Sequence, residues 1–250
     1  TSRGTKAFNH MKHLRALYNK AVKKKLADYK KHPFKNPYTN PYGYEFIHLK
    51  KLKSRYGGNR IKDIPVNYMK QIFDFQPETK NEEKYLAIFF FSYYTFGVNI
   101  TDIAQLERRH IRNGRWYYER SKTGVGLAKG KPLLPEAIAI LEKHDTGGKY
   151  IFDILNDYDD TEKRKVNRIQ DYAKLITKFC KKASKKMGFD GYFTLYSARH
   201  TAATIALNSG ADRNTVSHLL DHENFSTIDN YAGRADDEKV IQAMEILRLK

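Results

Sequence analysis

One cysteine is all the thiol chemistry this chain has. Cys180 stands alone among 250 residues, so no disulfide can close within the chain and no Cys-rich metal site can form, a usage that fits a reducing, cytoplasmic setting. In "LITKFCKKA" it falls at an apolar helical position beside Phe179, where a small buried thiol is expected rather than a reactive one. Long apolar runs are missing too. The longest, "YLAIFFFSYYTFGV", is too short to span a membrane and reads as a buried helix, so no membrane partner is expected. There is no Gly-rich phosphate loop, zinc-ligand cluster or G-x-S-x-G elbow. Any chemistry is therefore expected to run without metal or nucleotide cofactor. The first residue is Thr1, with no initiator Met or signal-like stretch, which predicts that the sequence begins partway through a longer polypeptide.

Acidic residues are also short: 28 Asp and Glu face 46 Lys and Arg, for a net charge of +18 and a pI near 9.7. Self-repulsion of that size predicts a polyanionic partner. Against these deficits, hydrophobic residues make up 40% and aromatics 13%, enough for a packed core.

Residues 5–30 place Phe8, Met11, Leu14, Leu17 and Ala21 at helical steps with basic residues on the other face. The Pro-rich "HPFKNPYTNPYGY" then reads as an extended linker. A second unit begins near Ile64-Pro65. Helices are expected at "PVNYMKQIFDF", from about Asn81 to Val98, and at "ITDIAQLERRH". Asn113-Gly114 signals a hairpin, and a return along "KPLLP" gives a three-stranded antiparallel sheet. Helices resume at "EAIAILEKH", "RIQDYAKLITKFCKKASKKMG" and "ARHTAATIALNSG", with Gly188 and Gly210 just past helix ends. Asp212 and Ser226 are good N-caps for two short helices, and "DEKVIQAMEILRLK" closes the chain with Val240, Ile241, Met244 and Leu247 on one face. The fold class is mainly α with a small antiparallel β-sheet.

Several polar residues fall at expected element ends. Lys122, in "RSKTG", is either a solvated turn lysine or a cation reaching into a groove. Arg199 stands at the expected start of a helix, where the dipole opposes a cation unless an anion binds there too; a structural ion pair is the alternative. His200 beside it has a structural role by default. His222 and Tyr231 follow in "LLDHENFSTIDNY". A phenol with a pKa near 10 is a poor nucleophile, but it can attack phosphorus if cations lower that pKa and a proton reaches the leaving oxygen.

Taken together, "RSKTG", "YSARHTAAT" and "LLDHENFSTIDNY" resemble the tyrosine recombinases, the integrase family of phages and mobile elements. The family pattern is a hairpin Lys, then His-x-x-Arg-His-Thr, then Leu-Gly-His nine residues before a nucleophilic Tyr. This chain has Lys122, Tyr196-x-x-Arg199-His200-Thr201, Leu220-Asp221-His222 and Tyr231, nine residues after His222. The "YSARHT" form is similar to the branch in mobile elements of Bacteroides-like bacteria. The resemblance implies a DNA-associated bacterial enzyme with a catalytic domain at 64–250, a linker at 36–63, and the last helices of a core-binding domain at 1–35. The start of that domain, and any arm-binding domain, would precede Thr1.

By position, the resemblance makes Tyr231 the nucleophile that forms a 3′-phosphotyrosyl link to double-stranded DNA. Arg199 and His222 would hold the phosphate, and Lys122 would protonate the departing 5′-hydroxyl. Two positions depart from the pattern. "GVNITDI" puts Asn99 where the family has its first arginine, with Asp102 retained, and Tyr196 replaces a histidine. Arg108, Arg109, Arg112, Arg115 and Arg120 lie near enough in sequence to supply the missing charge. An active recombinase is one reading and a DNA-binding protein of the same fold with impaired chemistry is another; a third, a basic helical RNA-binding or ribosomal protein, explains the charge but not the spaced motifs.

DNA contacts are expected from the basic faces of 12–31, 50–60 and 162–168, including Lys23, Lys24, Lys25, Lys50, Lys51 and Arg164. The C-terminal helix is expected either to pack on its own domain or, as the resemblance implies, to join protomers in a homo-tetramer on DNA.

Overall fold

The structure is a computed structural model that describes residues 3–34, 59–119, 121, 130–220 and 237–248. The chain divides into two compact units, residues 1–58 and 59–250.

In the first unit, α1 (Arg3–Lys23) carries Lys20 and Lys23 in its last turn, where cations complement the negative end of the helix. The helix ends on Lys25 with φ 60; Lys25 N–H bonds Val22 O and Leu26 N–H bonds Ala21 O, a Schellman closure that usually takes glycine. The expected helix to residue 30 thus stops seven residues early. A 3₁₀ turn follows at Tyr29–Lys31, capped by Asp28. Behind it His32 is buried, bonded to Asn19 Oδ1 at 2.8 Å and edge-on to the Tyr18 ring. Met11, Leu14 and Leu17, the apolar stripe of α1, are exposed.

The second unit is built around α3. After α2 (Val66–Phe73), Thr79 caps α3 (Lys80–Tyr94) by accepting from Glu82 N–H. Leu86 to Phe89 and Phe91 to Tyr94 are buried, so from Leu86 onward α3 is covered on nearly every side by other elements. Phe91 meets Trp116 and Phe152 at ring separations of 5.5 and 5.4 Å, and Phe89 meets Phe193 at 4.9 Å.

Beyond α3 the chain turns through Phe96 and Gly97, with φ of 56 and 76, into α4 (Ile100–Ala104). The single helix expected over "ITDIAQLERRH" is two pieces, α4 and a 3₁₀ turn at Arg108–His110. Glu107 and His110 cap that turn reciprocally, giving a second start signal inside the run.

The sheet has the expected order and sense: β1 (Ile111–Arg112), β2 (Arg115–Trp116) and β3 (Lys131–Pro132), all antiparallel. Asn113 and Gly114, at φ 51 and 68, make the primed turn that joins β1 to β2. Each strand is only two residues long, so the aromatic run at 116–118 is mostly outside the ladder.

Four helices follow the sheet: α5 (Pro135–His144), α6 (Glu162–Lys186), α7 (Leu195–Asn208) and α8 (Arg213–Leu219), the last capped by Asp212. Gly188 and Gly210 take left-handed φ of 70 and 91 after α6 and α7. Cys180 is buried in α6, and burial pushes its thiol far above the usual range. No described helix is long and apolar enough to cross a membrane.

Helix α9 (Asp237–Glu245) packs on the body of its own unit. Val240, Ala243, Met244 and Leu247 are buried, the Tyr93 hydroxyl donates to Leu247 O at 3.1 Å, and Arg248 pairs with Glu136 at 2.6 Å. The helix expected from Ser226 lies outside the described residues.

Candidate active site

Helix α7 begins four residues before Arg199. Thr194 caps it, accepting from Ser197 N–H while Ser197 Oγ accepts from Thr194 N–H. Ser197 Oγ also donates to Ile61 O, and Thr201 Oγ1 accepts from Ile64 N–H at 2.9 Å, which fixes α7 against the first residues of the unit. Arg199 is therefore in the second turn, and the opposition between its charge and the helix N-terminus is weaker than the sequence suggests.

The guanidinium is anchored at two places. Its Nη1 donates to Gly97 O at 3.2 Å and its Nη2 to Leu220 O. Gly97 is in the turn between α3 and α4; Leu220 caps the C-terminal end of α8. Arg199 thus ties the turn leading to Asn99 to the residue two before His222.

Asn99 is exposed and caps α4, its Oδ1 accepting from Thr101 N–H at 3.1 Å. The retained acid, Asp102, is buried and accepts from Ser121 N–H at 2.9 Å, next to Lys122 in sequence. Beside that contact opens a cleft of about 270 Å³ lined by Asp102, Gln105, Glu107, Tyr118, Glu119 and Ser121.

Tyr196 is 65% exposed on the first turn of α7, edge-on to the His200 ring at 4.5 Å. Burial lowers the pKa of His200 below the ordinary histidine value, with Lys62 and Arg199 adding to the effect and Asp63 opposing it. The shift favours the neutral imidazole, and the buried Nε2 has no hydrogen-bond partner among the described residues.

Four of the five arginines that could stand in for the missing charge have other engagements. Arg108 pairs with Asp145 and bonds Gly148 O, Arg109 pairs with Glu107, Arg112 lies over the Tyr117 ring, and Arg115 bonds Gly130 O. Arg120 lies outside the described residues, as do Lys122, His222 and Tyr231. The site residues that the structure brings together are thus Arg199, its neighbours His200 and Tyr196, and the Asn99 turn.

Lys131 is not among the residues singled out from the sequence. This lysine of β3 is fully buried, yet its Nζ donates to Thr95 O at 3.1 Å and to Leu219 O at 2.8 Å. A charged residue between Gly130 and Pro132, just before the apolar "LLP", was the available signal.

Among the expected DNA contacts, Lys23, Lys24 and Lys25 are exposed at the end of α1. Arg164 is exposed but bonded to Asp160 at 2.7 Å and to Tyr158 O. Lys50 and Lys51 lie outside the described residues.

The fold is similar to that of the Tn1549 transposon integrase (residues 82–397), solved in complex with circular intermediate DNA. The TM-score is 0.53 at 16% identity, covering 94% of this chain and 77% of that one. No curated protein matches the sequence. The phage integrase family model, by contrast, matches residues 62–238, most of the chain and nearly all of the second unit, and the chain belongs to that family.

Proposed function

We propose that this protein is a site-specific DNA recombinase that cuts and rejoins duplex DNA through a 3′-phosphotyrosyl intermediate. The observation that carries this reading is the double anchorage of Arg199, which links the Asn99 turn to the end of α8, two residues before His222. Family membership, the DNA-bound integrase of similar fold and the +18 charge support it.

In the proposed reaction the Tyr231 hydroxyl loses its proton and its oxygen attacks the scissile phosphorus. The bond to the 5′-oxygen breaks, and Lys122 delivers a proton to that oxygen. Arg199 and His222 hold the non-bridging oxygens as charge builds on them. The phosphotyrosyl ester keeps the energy of the phosphodiester, so a second 5′-hydroxyl can reverse the step without ATP. Residues 1–35 are read as the end of a core-binding domain, with Lys23, Lys24 and Lys25 on the phosphate backbone, and the DNA-bound form as a homo-tetramer joined through α9.

A second reading has a specific basis. Asn99 carries no charge, its oxygen is committed to capping α4, and four of the nearby arginines are engaged elsewhere. A missing charged contact to a developing oxyanion costs about 3 kcal/mol, which favours a DNA-binding protein with impaired chemistry.

A nicked suicide duplex separates the two. The recombinase reading expects a covalent protein–DNA adduct that Tyr231→Phe abolishes; salt-sensitive binding with no adduct supports the second.

A further inference from the structure

Two buried or half-buried cations meet the same pair of helix ends. Thr95 caps the C-terminus of α3, and Leu219 and Leu220 end α8. Carbonyls at a helix C-terminus lack partners within the helix and lie at its negative pole. Three such groups, with the carbonyl of Gly97 in the turn beyond α3, are taken up here: Lys131 takes Thr95 O and Leu219 O, and Arg199 takes Gly97 O and Leu220 O. The two cations therefore stitch one seam in alternation, each bridging the α3–α4 turn to the end of α8.

The surroundings of Lys131 suit this task. Lys131 pairs across the sheet with Trp116, which stacks on Tyr118 at 4.2 Å, and the ammonium is 5.9 Å from the Tyr118 ring. A buried ammonium that donates to carbonyls and lies near an aromatic ring has its charge compensated on the protein side. Being 0% exposed, Lys131 cannot itself meet a phosphate on the surface.

We infer that Lys131 is a positioning residue for the proposed reaction: it sets where α8 ends, and so where the chain leaves toward His222, in register with Arg199. This rests on the recombinase reading for its catalytic part only. A displacement of about 1 Å among reacting groups costs roughly a hundredfold in rate, so a slack seam shows in the chemistry before it shows in DNA affinity.

The test measures adduct formation on a nicked suicide duplex at saturating protein, alongside the half-saturating protein concentration and amide hydrogen exchange. For Lys131→Met the expected result is affinity within about threefold of wild type and a rate at least about tenfold lower. Exchange should quicken at Val216–Leu220 and stay unchanged in α6. Lys131→Gln, which keeps a donor without the charge, should fall between. The inference is overturned if Lys131→Met cleaves within about twofold of wild type or if rate and affinity fall in proportion. Unfolding of the whole unit in both variants also overturns it, because the lysine would then hold the entire domain. Should wild-type protein give no adduct, the recombinase reading fails by itself, and the exchange at Val216–Leu220 still decides the role of Lys131.

Discussion

Gly97 lies directly against Arg199: a β-carbon added to Gly97 would overlap Cβ and Cγ of the arginine and come within 2.5 Å of its Cα. The glycine also has φ +76, a backbone conformation that side chains resist. The candidate arginine is thus seated by the absence of a side chain on the neighbouring turn.

Gly97→Ala should therefore be among the most damaging single changes in the second unit. Overpacking and the left-handed backbone together predict a loss of about 2–4 kcal/mol. A melting curve within a degree or so of wild type would show that the two residues do not meet as described.

Asn99→Arg tests the charge deficit. If neutralisation of the phosphate limits the reaction, the added guanidinium should raise adduct formation by roughly tenfold or more. The lost cap on α4 should lower stability by only about 1 kcal/mol. Wild type inert and Asn99→Arg active is the outcome that selects the impaired-protein reading. No gain in an already active protein means that another cation holds the phosphate.

Helix α9 belongs to its own domain in the single chain. Met244 is completely buried, and Met244→Ala should cost about 2–5 kcal/mol in denaturant unfolding of the free protein. An unchanged midpoint would mean that the helix gains its partner only in an assembly, as the tetramer proposal in its simplest form requires.

An acid limb of the stability profile is expected from Glu78. Hydrogen bonds from Lys182 and then Lys186 hold its carboxyl at about 2, well below the ordinary 4.5. A carboxyl lowered on folding stabilises above its unfolded value, and that contribution fades as the pH falls from about 4.5 toward 2. Glu82, which shares Lys182, is shifted the same way. Glu78→Gln should flatten the melting temperature against pH in that window, and salt should do likewise because the cluster is exposed. An identical slope in wild type and variant would remove Glu78 from the account.

The helices were legible where a cap or a glycine stop agreed with the periodicity, as from Asp212 and before Gly188 and Gly210; the helix expected from about Asn81 to Val98 begins one residue earlier and ends four residues earlier, at Tyr94. The Asn113-Gly114 turn was legible for the same local reason. The break between Ala104 and Arg108 was missed because the Glu107–His110 cap lies inside an apparently continuous helical pattern. Arg199 stood out in the sequence as a candidate, but not how it is held, since its carbonyl partners Gly97 and Leu220 are 102 and 21 residues away. Lys131 escaped notice for a related reason: a lysine in a short strand reads as solvated until two helix ends are brought over it.

The stretch that carries Lys122 is fastened at both margins. Ser121 hangs from Asp102, and Lys131 is bolted into the ends of α3 and α8. Both moorings belong to the body that seats Arg199, so a substitution at Asp102 or Lys131 acts on the backbone bordering residues 122–129 without altering those residues themselves.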